Sequence, residues 1–420
     1  MPKSEAQTKE TEHPPDHDSV QPYQRRYRWV MLALVWLSYF SFGVIIRSMP
    51  PLVTPILRDL NISYSQMGLI LGSWPLPYMV LATFAGIIMD RWGIRKSVFV
   101  GILIVGISEV LRFFASGFAT LLLAVALFGV GGPMISIGCP KVASVWFRGK
   151  GRGTAVGTYM TGPSFGGLLS LSTANSVVMP LVGHSWRWTF IVFSLVAFTI
   201  ALIWWFLARD VKSDETKEER VGIVQVFSQF IRVRNIQVIL IMVLLTFSVS
   251  HGTNDWLPKI LESGGLSPKL AGFAASIPYL TGIPSLLIIP RLVSPRWRGR
   301  VISLNALIIA AAILVMASQS GGSLIAGLAL YGGVMPLIGP LMMLTLMDLP
   351  EVGPKYMGSL AGLYFCITGI GGFSGPFSVG IIKDLSGSFL MGAGFLACLL
   401  VILSILPFFL KTKPMAETKA

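Results

Sequence analysis

Gly153-Thr-Ala-Val-Gly157-Thr-Tyr159-Met-Thr-Gly162-Pro163-Ser-Phe-Gly166-Gly167 recurs 205 positions later as Gly358-Ser-Leu-Ala-Gly362-Leu-Tyr364-Phe-Cys-Ile-Thr-Gly-Ile-Gly371-Gly372. Five positions coincide, four glycines and a tyrosine. A second echo, at 203 to 204 positions, lays Pro55, Ser63 and Gly68 onto Pro258, Ser267 and Gly272. Self-similarity at a fixed period marks two copies of one structural unit. Between them runs the longest polar interruption of the chain, Ala208–Arg234, rich in Lys, Arg, Asp and Glu. A surface helix is expected there, around Val221–Ile231.

What surrounds the repeat is apolar. The 420 residues are 53% hydrophobic and 12% charged, against about 25% charged in soluble domains. Uninterrupted runs such as Trp29–Ile46, Leu121–Cys139, Phe190–Leu207 and Phe389–Leu410 approach or exceed the roughly 18–20 residues that span a bilayer core. Transmembrane β-strands are excluded, because they read as ~10-residue alternating segments. The runs predict an all-α membrane protein of twelve transmembrane helices, near 28–52, 64–89, 97–116, 118–140, 151–180, 187–208, 236–257, 268–290, 301–318, 323–346, 357–382 and 388–410. Six fall on each side of the polar interruption.

The net charge of +14 follows topology. With the N-terminus inside, one face collects Arg25, Arg26 and Arg28, then Arg91, Arg95 and Lys96. Lys141, Arg148, Lys150 and Arg152 follow, as do the basic residues of the linker, those of Arg291–Arg300, Lys355 and the C-terminal lysines. The other face keeps Arg58, Arg187, Lys259, Lys269 and Lys383. Positive charge concentrates on the cytoplasmic side, which puts both termini there and removes the reason to invoke nucleic acid. The expected plan is a disordered tail over 1–24, a six-helix bundle over 25–208, a cytoplasmic linker over 209–234, a second bundle over 235–411 and a tail over 412–420. The polar start lacks the charged-then-apolar pattern of a cleaved leader, so the first helix is expected to direct insertion into the inner (plasma) membrane. Cys139, Cys366 and Cys398 fall inside helices and suggest neither disulfides nor a metal cluster. Asn61-Ile-Ser63 is read as a chance sequon.

After the second helix comes Gly86-Ile-Ile-Met-Asp90-Arg91-Trp-Gly93-Ile-Arg95-Lys96. Gly86 permits close helix approach, Gly93 turns the chain, and Asp90 can pair with basic groups across the interface between halves, forming a latch. This text resembles the G-x-x-x-D-R-x-G-[RK]-[RK] signature of the major facilitator superfamily. Gly162-Pro163-x-x-Gly166-Gly167, with Gly157 before it, resembles that family's fifth-helix element, where small residues favour close packing. The matching loop of the second half, Ser294–Arg300, lacks the acid, so any latch is asymmetric. Gly129-Val-Gly131-Gly132 lacks the preceding Arg that many proton-coupled members carry. The resemblance spans 25–410 and implies two pseudo-symmetric bundles that alternate access to a midplane site.

Charges inside such helices are costly and usually functional. Arg47 lies deep in helix one; it either faces a cavity or snorkels to the outer interface. Its pseudo-symmetric positions are Ser250 and His251, within His251-Gly-Thr-Asn254-Asp255-Trp256-Leu-Pro258. A guanidinium fork suits a carboxylate or similar anion. Glu109 and Arg112, three apart on one helix face, are read as mostly structural, and Lys141 as topological. Gly43–Arg58 resembles the cyanate/nitroimidazole permease branch, whereas Tyr27-Arg-Trp29 and Gly252-x-x-Asp255-Trp256-x-Pro258 resemble organophosphate antiporters. The resemblance to these anion-handling branches implies one fixed cation rather than two, and so a singly charged anion. From the superfamily pattern, Tyr39, Tyr159, Tyr279 and Tyr364, with Trp74, Tyr78 and Asn175, join the substrate candidates Arg47, Ser250, His251, Asn254 and Asp255.

The expected function is secondary active transport of a small organic or inorganic anion, monocarboxylate- or cyanate-like, with a coupling proton or counter-anion. Multidrug or hydrophobic-solute efflux is the alternative. No catalytic constellation, nucleotide motif or cofactor site is read, so an enzyme is not expected, and the working unit is expected to be a monomer in the bilayer.

Overall fold

The computed structural model describes residues 22–147, 150–210, 232–318, 321–349 and 357–410. The helix expected at Val221–Ile231, residues 1–21 and the C-terminal tail lie outside the described residues. The tail expected over 1–24 is corrected at its end, since the first helix already begins at Pro22. The regular elements among the described residues are all helices. We label them α1 (Pro22–Ser48, continued by Val53–Leu60), α2 (Tyr64–Leu71 and Pro75–Trp92), α3 (Ile94–Phe113) and α4 (Phe118–Trp146). α5 follows in the pieces Lys150–Met160, Gly162–Thr173 and Met179–Leu181, then α6 (Trp186–Leu207). The second half holds α7 (Arg234–Ser263), α8 (Pro268–Leu292), α9 (Arg298–Ser318), α10 (Gly321–Met347), α11 (Met357–Ser386) and α12 (Phe389–Ile405).

Ten of these are long and apolar enough to cross a membrane. The other two are α3, which carries Glu109 and Arg112 besides Arg95 and Lys96, and α5, which is broken. Three continuous helices expected from the sequence are interrupted. Helix one stops at Ser48, turns through Pro50–Leu52 as a 3-10 helix and restarts at Val53. Proline has no N–H to continue the ladder, so two in succession free carbonyls one turn earlier. Helix two breaks before Pro75 for the same reason. Helix five breaks at Thr161, before Pro163, and again in a π-helical turn at Ala174–Val178.

The sequence repeat is visible as geometry. Ser63 and Ser267 are both N-caps: their Oγ atoms accept from the backbone N–H of Gln66 (3.2 Å) and Leu270 (3.4 Å). Gly166 of α5 lies so close to α1 that a Cβ would stand 2.1 Å from the Phe40 carbonyl oxygen. Its echo Gly371 meets α7 in the same way, 2.7 Å from the Leu244 carbonyl oxygen. Small residues thus bring backbones together where lipid offers no hydrophobic drive.

One buried apolar cluster stays inside the first half, around Ile45, Phe128, Ile135 and Trp204. A larger one fills the second half and continues through Trp256 and Leu257 into Met49, Leu52, Ile56 and Met67 of the first. The two bundles therefore share a core at the Asn61 end. Outward faces of α6, α9, α10 and α12 carry exposed Leu202, Phe206, Leu304, Ile325 and Met391, as a lipid-facing surface requires.

Candidate functional site

Arg47 sits in the last turn of α1, immediately before the break. It is buried, 8% exposed, which rules out snorkelling to the interface in this structure. Its Nη1 donates to Oδ1 of Asp255 on α7, itself 3% exposed. This ion pair crosses from one bundle to the other. Arg47, expected as the one fixed cation of the site, has a carboxylate partner in Asp255. A buried charge of one sign is costly without its counter-ion, and the Pro50–Leu52 turn that follows Arg47 packs against α7 across the interface.

Three side chains complete the surroundings. His251, one turn before Asp255, places Nδ1 3.6 Å from Asp255 Oδ2, beyond hydrogen-bond length. Tyr279 of α8 puts its ring 5.7 Å from the Arg47 guanidinium carbon, within cation–π range. Trp74, at the break of α2, tilts against His251 with ring centroids 5.6 Å apart. Gly167 makes the room: a Cβ there would lie 3.2 Å from Arg47 Cγ and 3.0 Å from Tyr279 Cε1. His251 Nδ1, Asp255 Oδ2 and the Tyr279 hydroxyl are buried without a hydrogen-bond partner among the described residues. Buried polar groups are rarely left so, and here three of them lie about the Arg47–Asp255 pair.

Asn254 lies beside Asp255, and its Nδ2 donates to Ser250 Oγ at 3.3 Å. Of the candidate tyrosines, Tyr39, Tyr159 and Tyr364 are not brought to Arg47. Tyr39 stacks on Tyr159 (5.4 Å between centroids) within the first bundle, and its hydroxyl donates to the Ser136 carbonyl at 3.1 Å. Tyr364 of the second bundle donates to the Gly339 carbonyl at 3.2 Å. Their pseudo-symmetric positions place them as packing partners of each half in this structure.

More polar links tie the bundles at the same end. Lys259 Nζ donates to Thr54 Oγ1 (2.7 Å), and Thr54 donates to Glu262. Asp384 accepts from the backbone N–H groups of Tyr64 (3.1 Å) and Ser65 (2.7 Å), the first residues of α2; a carboxylate suits a helix N-terminus. Asn175, in the π turn, donates to the Pro51 carbonyl of the α1 break (2.9 Å) and to the Pro268 carbonyl of α8 (3.3 Å).

The latch residues occupy the opposite end. Asp90 accepts from Lys141 Nζ of α4 at 2.8 Å, a partner in its own bundle. Gly93 has φ +82°, a left-handed conformation that favours glycine, and a Cβ would meet Asp210 Oδ2 at 2.9 Å. Asp210 also accepts from the Arg95 N–H at 2.8 Å, while the Arg95 guanidinium covers the Trp205 ring at 5.0 Å. Arg91 and Lys96 make no described ion pair, and Gly86 is half-buried. In the second half the polarity of the pair is reversed: Arg298, on the loop side, bonds Asp348 at the end of α10 (2.5 Å). Of the helix-five residues, Gly162 and Gly166 meet α1, and Pro163 meets Gly43 of α1; Gly157 is half-buried.

Sequence reasoning missed two things. It treated Arg47 and Asp255 as separate candidates, and it took Lys141 only as a topological charge. Signals existed: Arg47 and Asp255 are among the few charges inside apolar helices, and Lys141 is the one charged residue of α4.

The model of the Major Facilitator Superfamily matches residues 31–376. A hexuronate transporter of Bacillus subtilis is 24% identical over 86% of this chain and 91% of its own. A putative tartrate transporter of Agrobacterium vitis is 25% identical, covering 86% of each. A quinolone resistance transporter of Acinetobacter baumannii is 25% identical over 84% of this chain and 87% of its own. A bacterial homologue of the lysosomal transporter Spinster, solved inward-facing and occupied, superposes with a TM-score of 0.71 at 16% identity, covering 91% of this chain and 96% of that one. The resemblance to the cyanate/nitroimidazole branch is corrected by two of these relatives, which are named for hexuronate and tartrate instead.

Proposed function

The chain belongs to the Major Facilitator Superfamily, and from that premise we propose that it is a secondary active transporter of a small hydroxylated carboxylate, of the hexuronate or tartrate kind. The observation that carries this is the buried Arg47–Asp255 pair joining the bundles. Asp255 presents to Arg47 the chemical group that an anionic substrate would bring. A carboxylate reaching the site competes with Asp255 for the guanidinium fork. Once displaced, Asp255 loses its counter-charge in a low-dielectric site, at a cost of several kcal/mol unless it is neutralised. His251 beside it offers a route for a proton to Asp255. Binding of one anion and one proton thus leaves the charge of the site unchanged and releases the link between bundles, which is what alternating access requires.

The full reading has twelve spans in two six-helix halves over 25–208 and 235–411, both termini cytoplasmic, in the inner (plasma) membrane. The Asn61 end then faces outward and is the closed end here. His251, Asn254, Ser250, Trp74 and Tyr279 are the groups available to substrate hydroxyls and ring faces. The polar, charge-paired centre supports the anion reading over export of a hydrophobic drug, the alternative that the quinolone resistance relative keeps in view.

The test is a thermal-shift and counterflow panel on the purified chain with galacturonate, tartrate, a neutral hexose and a fluoroquinolone. Stabilisation and saturable exchange are expected for a carboxylate and not for the neutral hexose. A response to the fluoroquinolone alone would replace this reading with efflux.

A further inference from the structure

A second ion pair lies one helix away from the first. Glu109 and Arg112 of α3 are 0% and 2% exposed, and Arg112 Nη1 stands 2.7 Å from Glu109 Oε2. Nothing in the transport reading above uses them, and a pair on a peripheral helix invites a structural explanation.

What Arg112 touches argues for more. α1 ends at Ser48, so the carbonyls of its last turn have no helical N–H to accept from. Arg112 Nη1 donates to the Ile45 carbonyl (3.5 Å) and to Ser48 Oγ (3.2 Å), while Nη2 donates to Ser108 Oγ (3.3 Å). A guanidinium at a helix C-terminus is favourable, and these two contacts bracket Arg47. Moreover, a cavity of about 20 Å³, near the size of one water, has Ile46, Met49, Trp74 and Arg112 in its walls on the first bundle and Asp255 on the second. Arg112 and Asp255 therefore border one space at the interface that must open.

We propose that Arg112, neutralised by Glu109, is a positioning residue for Arg47. It clamps the broken end of α1 so that the Arg47 fork keeps its aim when an incoming carboxylate takes over from Asp255. This rests on the anion reading above. Arg112 itself need not touch substrate.

The test measures galacturonate counterflow in proteoliposomes of the full chain. Arg112→Gln is expected to raise KM about tenfold, as for loss of hydrogen bonds to a charged group, with the maximal rate little changed. Arg112→Lys should restore most of the affinity. Should Arg112→Gln fail to fold because Glu109 is left unpaired, Glu109→Gln/Arg112→Gln removes both charges and carries the same expectation. In an Arg47→Lys background the effect of Arg112→Gln should shrink to near nothing, because an ammonium is a point charge with no fork to aim. An unchanged KM in both Arg112 variants, or the same tenfold rise in the Arg47→Lys background, overturns the proposal. Arg47→Gln is run alongside: if it exchanges galacturonate like the wild type, the anion reading itself falls, whereas loss of exchange there with a silent Arg112→Gln overturns only the positioning role.

Discussion

At the scale of single residues, Arg47 and Asp255 define the problem. They stand 208 positions apart in the chain and are in contact. Each was legible alone, because charged residues inside apolar runs are rare and costly. Their pairing was not, since nothing local in either helix records the identity of the facing one. The pair is also where a mutation should be most informative. Asp255→Asn leaves a buried guanidinium without its counter-ion, which typically costs 3–5 kcal/mol. We expect a lower melting temperature in detergent without ligand, and a larger stabilisation by galacturonate or tartrate than in the wild type, because the anion now fills the missing role. Equal ligand-induced shifts in the two proteins would show that Asp255 and substrate do not compete. The tyrosines illustrate the opposite lesson. Tyr39, Tyr159 and Tyr364 occupy positions that the family pattern marks as pathway-lining, yet their hydroxyls are bonded within their own bundles or their rings stacked there. Residue type and helix number do not fix the direction in which a side chain points.

At the scale of elements, the order of the helices along the chain is legible in the sequence, ten of them are long and apolar enough to cross a membrane, and their interruptions are not legible. An apolar run says that a segment crosses; it does not say where the ladder breaks. Pro50-Pro51, Pro75 and Pro163 were all visible, and each sits at or just after a break. By contrast Pro258 and Pro376 sit inside continuous helices, where neighbours can compensate the lost hydrogen bond. The glycine contacts separate packing from mere flexibility. Gly375 faces the Ser248 carbonyl, with a Cβ placed 2.0 Å from its oxygen, whereas a Cβ at Gly394 of α12 meets nothing within 4 Å. Gly166→Ala and Gly375→Ala are therefore expected to lose folded protein on size-exclusion chromatography. Gly394→Ala should be neutral or slightly stabilising, up to about 1 kcal/mol from helix propensity. If all three behave alike, backbone-to-backbone packing of α5 on α1 and α11 on α7 is not what holds the bundles together.

At the scale of the whole molecule, the repeat at 203 to 205 positions predicted two like halves, and Ser63 with Ser267 and Gly166 with Gly371 play matching parts in them. What the repeat could not predict is where the halves touch. The shared apolar core and the polar links of Asp384, Lys259 and Asn175 all gather at the Asn61 end. Transport by alternating access requires that seam to open. In a chain lacking Cys139, Cys366 and Cys398, a short thiol cross-linker joining Ser65→Cys to Asp384→Cys should form readily and stop counterflow, with activity returning on cleavage of the linker. Full-rate exchange through the cross-linked protein would mean that this seam stays shut during transport. The central claim remains the guanidinium in that seam. Counterflow of galacturonate or tartrate should be retained with weaker affinity in Arg47→Lys and fall by about 100-fold in Arg47→Gln, the order expected for removing one partner of a buried charge-assisted contact. Undiminished exchange by Arg47→Gln would contradict it.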